Sequence, residues 1–211
     1  MSWPLVAALA AAGLVTGRCL RPVVVRQAAA AGPPGPLVLE LATAALLGAL
    51  AARVHPGLAL AAACWLGACG VALAWIDVAV QRLPDPLTAP AYAGTAGLLL
   101  AAAATSGHWH DLLRAALGGA ALTGAYLAMA VISRSAVGFG DVKLAASLGT
   151  LLAWPGWRML IAGAVAGFLL GAAYGIGLLV ARRATRGQQI PFGPFMIAGA
   201  FLAVLASGPG F

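Results

Sequence analysis

Residues 58–77 read LALAAACWLGACGVALAWID, nineteen positions without a charge and then an aspartate. A helix rises about 1.5 Å per residue, so roughly 20 apolar residues cross the ~30 Å hydrocarbon core of a bilayer. The stretch therefore reads as a membrane-spanning helix with a carboxyl at its rim. An ionisable group at such a place is costly and by default marks function.

The rest of the chain repeats the pattern. Hydrophobic residues make up 63% of the 211 and charged residues 8%, with a mean hydropathy of +0.99. Soluble domains do not reach such values. Apolar segments fall at approximately Trp3 to Gly17, Leu37 to Ala52, Leu58 to Ile76, Leu87 to Ala104, Leu112 to Ile132, Val142 to Ala153 with a tail toward Leu160, Leu160 to Val180, and Ile190 to Ser207. Pro155 and Gly156 interrupt the sixth. The expected fold is all-α: a polytopic membrane helix bundle of about eight transmembrane helices, forming one membrane-embedded domain over residues 1–211.

No basic region precedes Trp3, and Arg18 rather than a small residue precedes Cys19. The first segment is therefore expected to stay as a span, neither cleaved nor lipidated. Cys19, Cys64 and Cys69 form no CxxC pair, and the last two lie inside the third segment as small apolar packing residues.

Lysine and arginine set the orientation. One set of alternate loops carries Arg18, Arg21, Arg26, Arg82, Arg134, Lys143, Arg182, Arg183 and Arg186, and the other carries Arg53, Arg114 and Arg158. The richer set is expected in the cytoplasm, which puts both termini outside. The net charge of +7 is thus an anchoring signal. It is not a nucleic-acid footprint, because the cations form no single patch with aromatic platforms.

Five acids occur: Glu40, Asp77, Asp85, Asp111 and Asp141. Asp77 closes the third segment, and Asp141 opens the sixth in GFGD, residues 138–141. The topology gives both the same membrane depth on the cytoplasmic side. Two carboxyls brought close cannot comfortably both ionise, so they share a proton and titrate as a pair. The charged member takes a proton from a held water, while the protonated member hydrogen-bonds a scissile carbonyl and then helps protonate the leaving amine. Such a dyad needs no metal, cofactor or nucleophilic serine, and peptide-bond hydrolysis at the membrane surface is the matching reaction. Gly138 and Gly140 are expected to let the turn into the sixth helix take positive φ and to admit a backbone close to Asp141. Lys143 is out of helical phase with Asp141 and is expected to reach toward lipid headgroups. Position alone leaves other readings open: interfacial caps or ion pairs with Arg82, Arg134 or Lys143, a proton or ion path in a small ion-coupled transporter, or a noncatalytic membrane scaffold.

Three stretches taken together narrow this: DVAVQRLPDPLT from Asp77 to Thr88, GFGDVKLAASLG from Gly138 to Gly149, and IPFGPFMIAG from Ile190 to Gly199. In that order they resemble the prepilin peptidases, or type IV leader peptidases, of the GxGD class of membrane aspartic proteases. GRCLRPVVVRQ and LELATAALLGAL add to the likeness. The resemblance implies that Asp77 and Asp141 are the catalytic acids. It also implies a type IV prepilin or pseudopilin substrate, held in the lipid bilayer of the inner membrane while its short basic leader is cut on the cytoplasmic side. Many of that family carry a cytoplasmic insertion after the first span, often with four cysteines, and also methylate the new amine. Here only Arg18 to Pro36 separates the first two spans, with one cysteine. The short layout implies cleavage, and methylation is not assigned.

Supporting roles follow. Pro84 and Pro86 are expected to keep Leu83 and Asp85 out of helical conformation and to stiffen the exit from Asp77. Arg82 either positions that exit or anchors it at the interface. Asp85 either meets the basic leader or caps a turn. Pro191 suits a helix start, and Phe192, Gly193 and Pro194 shape a nonstandard first turn, which the resemblance places near substrate. GHWHD, residues 107–111, reads as an outer-face loop and aromatic anchor rather than a metal site.

Overall fold

The computed structural model describes residues 3–29, 34–132, 138–181 and 191–207. Arg134, Arg182, Arg183, Arg186 and Ile190 lie outside the described residues. Among the described residues eight helices follow one another: α1 (Trp3–Gln27), α2 (Val38–Arg53), α3 (Leu58–Val80), α4 (Asp85–Ser106), α5 (Trp109–Ile132), α6 (Phe139–Ala153), α7 (Trp157–Val180) and α8 (Gly193–Ala206). Among the described residues there is no strand. The chain is a polytopic bundle of membrane helices.

Five helices, α1, α3, α4, α5 and α7, are long and apolar enough to cross a membrane. The other three, α2, α6 and α8, run 16, 15 and 14 residues. At about 1.5 Å per residue they rise only ~21–24 Å, less than a hydrocarbon core. Eight apolar segments thus become eight helices, but not eight of equal span.

Partners run mainly in sequence order, α1 on α2, α3 on α4, α5 on α6 and α7 on α8, and α3 also touches α1, α2, α6 and α8. Of the apolar stretch of α3, 61% is buried, against 11% for α1 and 17% for α7. The helix that ends in Asp77 is therefore the hub, and α1 and α7 present their apolar sides to lipid. Lipid tails are as apolar as leucine, so helices associate here by close packing of small residues. A β-carbon on Gly149 of α6 would come within 2.7 Å of the Gly118 carbonyl oxygen of α5.

The first helix does not stop at Gly17. It continues through Arg18, Arg21 and Pro22 to Gln27. Arg21 makes the extension tolerable by donating to Glu40 of α2 at 3.3 Å and to the Pro34 carbonyl at 2.9 Å. Glu40 is 4% exposed. Breaking such a pair strands a buried charge. Arg21→Ala is therefore expected to destabilise the folded chain by about 2–4 kcal/mol, and Glu40→Gln by less, because the guanidinium it leaves unpaired is partly exposed and keeps the Pro34 carbonyl. Thermal unfolding in detergent reads the difference; equal losses for the two variants would contradict it.

At the opposite end of the bundle, Arg114 of α5 donates to the Ala153 carbonyl at 2.8 Å and also to the Trp154 carbonyl, while pairing with Asp111 at 2.8 Å. These bonds satisfy carbonyls that a helix C-terminus leaves without partners, so α6 can end early. Trp109, His110 and Asp111 are not loop residues as the alternating pattern indicated. They form the first turn of α5, where Asp111 meets the positive end of the helix dipole.

Candidate active site

Asp77 lies in the last turn of α3, the unfavourable end of a helix dipole for an anion. Gln81 at φ 52 turns the chain out of that helix, its amide bonded to the Asp77 carbonyl at 2.8 Å. Compensation for the carboxylate comes from elsewhere. The N-terminus of α8 points at Asp77, and the Gly193 amide donates to Asp77 Oδ2 at 3.1 Å. Pro194 has no amide hydrogen, and the Phe195 amide is taken by the Phe192 carbonyl at 3.1 Å. The first turn of α8 thus offers the carboxylate one well-placed donor.

Asp141 occupies the third position of α6, where the dipole favours an anion. Its Oδ2 accepts the Gly138 amide at 3.2 Å, and its own amide donates back to the Gly138 carbonyl at 3.0 Å. Each aspartate therefore has one oxygen held by a glycine amide, one from its own helix start and one from α8.

Gly193 also measures how close the two acids are. A β-carbon there would stand 2.8 Å from Asp77 Oδ2 and 3.6 Å from Asp141 Oδ1. The two oxygens can be no farther apart than those distances laid end to end. Asp77 and Asp141 are 5% and 7% exposed, so the pair is largely withdrawn from bulk solvent. Two acids far apart in sequence share one site, as the reading of membrane depth anticipated.

The glycines of GFGD act differently from expectation. Gly138 has φ −78 and Gly140 lies within α6, so neither takes the positive φ expected of it. What Gly140 supplies is room. A β-carbon there would lie 2.8 Å from Leu83 Cβ, so the QRLPD turn rests directly on the first turn of α6. Gly138 contributes its amide.

That turn also differs in part. Leu83 is non-helical as expected, but Asp85 opens α4 with Pro84 as the residue before it and Pro86 second. Proline is tolerated in a first turn because its missing amide would have had no helical partner. Lys143 has a side-chain partner at this end of the bundle. Its Nζ meets Asp85 Oδ1 at 2.5 Å, an exposed pair joining the start of α4 to the start of α6. Arg82 makes no ion pair among the described residues. With Ile76, Val80, Leu83, Pro84 and Asp85 it lines a groove of about 880 Å³ that reaches Gln27 at the end of α1.

Pro191 precedes α8 by two residues, and Phe192 joins an aromatic group instead of an open wall. It lies 5.2 Å from Phe168 and 6.1 Å from Tyr126, ring centre to ring centre. Tyr126 is the residue the sequence reading missed. It is 2% exposed and reaches from α5 to Phe192, the neighbour of Gly193. A single phenol in the charge-free stretch of α5 after Arg114 was the available signal.

Chemically, two acids in a half-dry site, each steadied by one backbone amide, can hold and polarise a water. Cys19 is exposed, Cys64 and Cys69 are buried in α3, and no group of three metal-ligating side chains occurs among the described residues.

Comparison with known proteins places this arrangement. The chain is 37% identical over 172 residues to a prepilin leader peptidase/N-methyltransferase of Aeromonas hydrophila, covering 81% of this chain and 57% of that protein. Identity to the Pseudomonas aeruginosa protein of the same name is 35% over 186 residues, or 84% and 60% of the two chains. For the Burkholderia pseudomallei protein it is 35% over 167 residues, or 77% and 52%. The chain thus spans between half and three fifths of the length of these relatives. No solved structure matches it. Residues 60–176, which hold both aspartates and the turn between α3 and α4, match the type IV leader peptidase family, and the chain belongs to that family.

Proposed function

We propose that this chain is an aspartic endopeptidase that removes the short basic leader of a type IV prepilin or pseudopilin, using Asp77 and Asp141 to activate water. The observation that carries the proposal is the meeting of both carboxyls at the bare face of Gly193, where a β-carbon would stand, each with one oxygen held by a glycine amide. The relatives' names supply the substrate class.

In the proposed reaction the pair shares one proton. The ionised carboxylate accepts a proton from the attacking water as its oxygen bonds to the scissile carbonyl carbon. The protonated carboxyl donates to the carbonyl oxygen, which becomes a hydroxyl of the tetrahedral intermediate. Collapse of that intermediate breaks the C–N bond: the protonated carboxyl gives its proton to the departing amine while the ionised one takes a hydroxyl proton from the intermediate, which restores the pair with one proton. The lysine and arginine excess of the loops supports, as part of the proposal, a site on the cytoplasmic side of the inner membrane, where a basic leader would project. The Arg82 groove beside α3 is then the approach for the leader. Methyl transfer forms no part of the proposal.

Co-expression with a prepilin tests it. The expected result is a shortened pilin whose new N-terminus, read by mass spectrometry, begins directly after the leader. A full-length pilin recovered beside properly inserted enzyme would reject the proposal.

A further inference from the structure

Three aromatic rings from three separate elements close on one another beside the acids. Tyr126 of α5 stacks on Phe168 of α7 at 5.8 Å with an interplanar angle of 23°. Both rings lean on Phe192, the residue immediately before α8, at 6.1 Å and 5.2 Å. Rings offset or tilted at such distances attract through their quadrupoles as well as through buried area. They are also rigid, with two torsions each, so the triangle fixes Phe192 in space.

Phe192 is bonded to the residue that matters. The next amide, that of Gly193, is the donor to Asp77, and the Phe192 carbonyl takes the Phe195 and Met196 amides that start α8. A shift of Phe192 carries that first turn with it. The α8 amide therefore depends on what stands behind Phe192, and Tyr126 stands there at 2% exposure.

We propose that Tyr126 is a positioning residue for the reaction, its ring buttressing Phe192 so that the Gly193 amide stays aimed at Asp77. This rests on the cleavage activity proposed above. Tyr126 neither touches substrate nor exchanges a proton. It acts through Phe192, and its ring rather than its hydroxyl carries the role. Misplacing a group of an active site by about 1 Å can cost on the order of 10²-fold in rate, so a partial loss of the buttress should show clearly in turnover.

The test uses the full chain, purified in detergent, and a prepilin substrate. Tyr126→Leu is expected to lower kcat about tenfold or more with little change in KM. Tyr126→Phe keeps the ring and is expected to stay within about twofold of the unmodified chain. Leu122→Ala, one turn away on α5 and next to the same packing, is expected to lower the melting temperature as much as Tyr126→Leu while keeping kcat. A Tyr126→Leu enzyme within twofold of normal overturns the inference. So does a Tyr126→Phe enzyme as slow as Tyr126→Leu, or a Leu122→Ala enzyme slowed equally. If Tyr126→Leu fails to accumulate in the membrane, Phe168→Leu removes the triangle from α7 instead: a tenfold slower enzyme supports the inference and a normal rate defeats it. An unmodified chain that cuts no prepilin would count against the proposed function and not against this role.

Discussion

Asp77→Asn and Asp141→Asn are each expected to abolish leader cleavage, lowering the rate by about 10³-fold or more, while expression and membrane insertion stay normal. Asparagine has the shape of aspartate and retains a carbonyl oxygen. It can still accept the Gly193 amide at position 77 or the Gly138 amide at position 141, the bonds that tie these side chains to α8 and α6. What the substitution removes is the exchangeable proton and the charge. A pair that works as a base and an acid together loses both functions when either member is neutralised, so the double variant should be no slower than the singles. Measured by pilin N-terminus formation in co-expression, normal processing by either single variant would sink the dyad. So would single losses that multiply in the double variant.

The same two residues show how much of the site could be read in advance. Asp77 and Asp141 stood out because acids are rare in this chain and costly at a membrane edge, and equal depth was enough to bring them together. The helices were legible for a related reason: a bilayer demands internally bonded backbone, so apolar length translates almost directly into helices. Their ends were less visible. The first apolar segment ends at Gly17, and the Arg21–Glu40 pair, a contact between helices that the segment does not show, accompanies the run of α1 on to Gln27. Gly138 and Gly140 were read for positive φ, whereas the structure uses the amide of one and the bareness of the other against Leu83. Local pattern reports what a residue permits; which freedom is used depends on the neighbour that arrives. Lys143 and Asp85 make the same point: one read as reaching toward headgroups, the other as meeting a leader or capping a turn, and they pair with each other. Tyr126 escaped because nothing in its own segment shows that Phe168 and Phe192 converge on it.

Gly193→Ala is the substitution in which fold and chemistry should separate most sharply. Gly193 has ordinary helical conformation as the first residue of α8 and is not among the positive-φ residues, so alanine suits the backbone, and a helical alanine is favoured over glycine by up to about 1 kcal/mol. Insertion and melting temperature are therefore expected to be close to normal. The new methyl would be 2.8 Å from Asp77 Oδ2 and 3.4 Å from its Cγ, inside van der Waals contact, and 3.6 Å from Asp141 Oδ1. Either the Asp77 carboxylate rotates away from the α8 amide or α8 retreats, and in both cases the methyl takes space beside the two acids where the attacking water must stand. Turnover is expected to fall by on the order of 10²-fold or more. Gly124→Ala on α5, where an added β-carbon meets nothing within 4 Å, serves as the control and should change neither turnover nor stability. A Gly193→Ala enzyme that cuts prepilin at the normal rate would mean that the acids work in a different arrangement from the one the α8 amide holds. An enzyme that fails to fold would mean that the first turn of α8 is a packing element before it is a catalytic one.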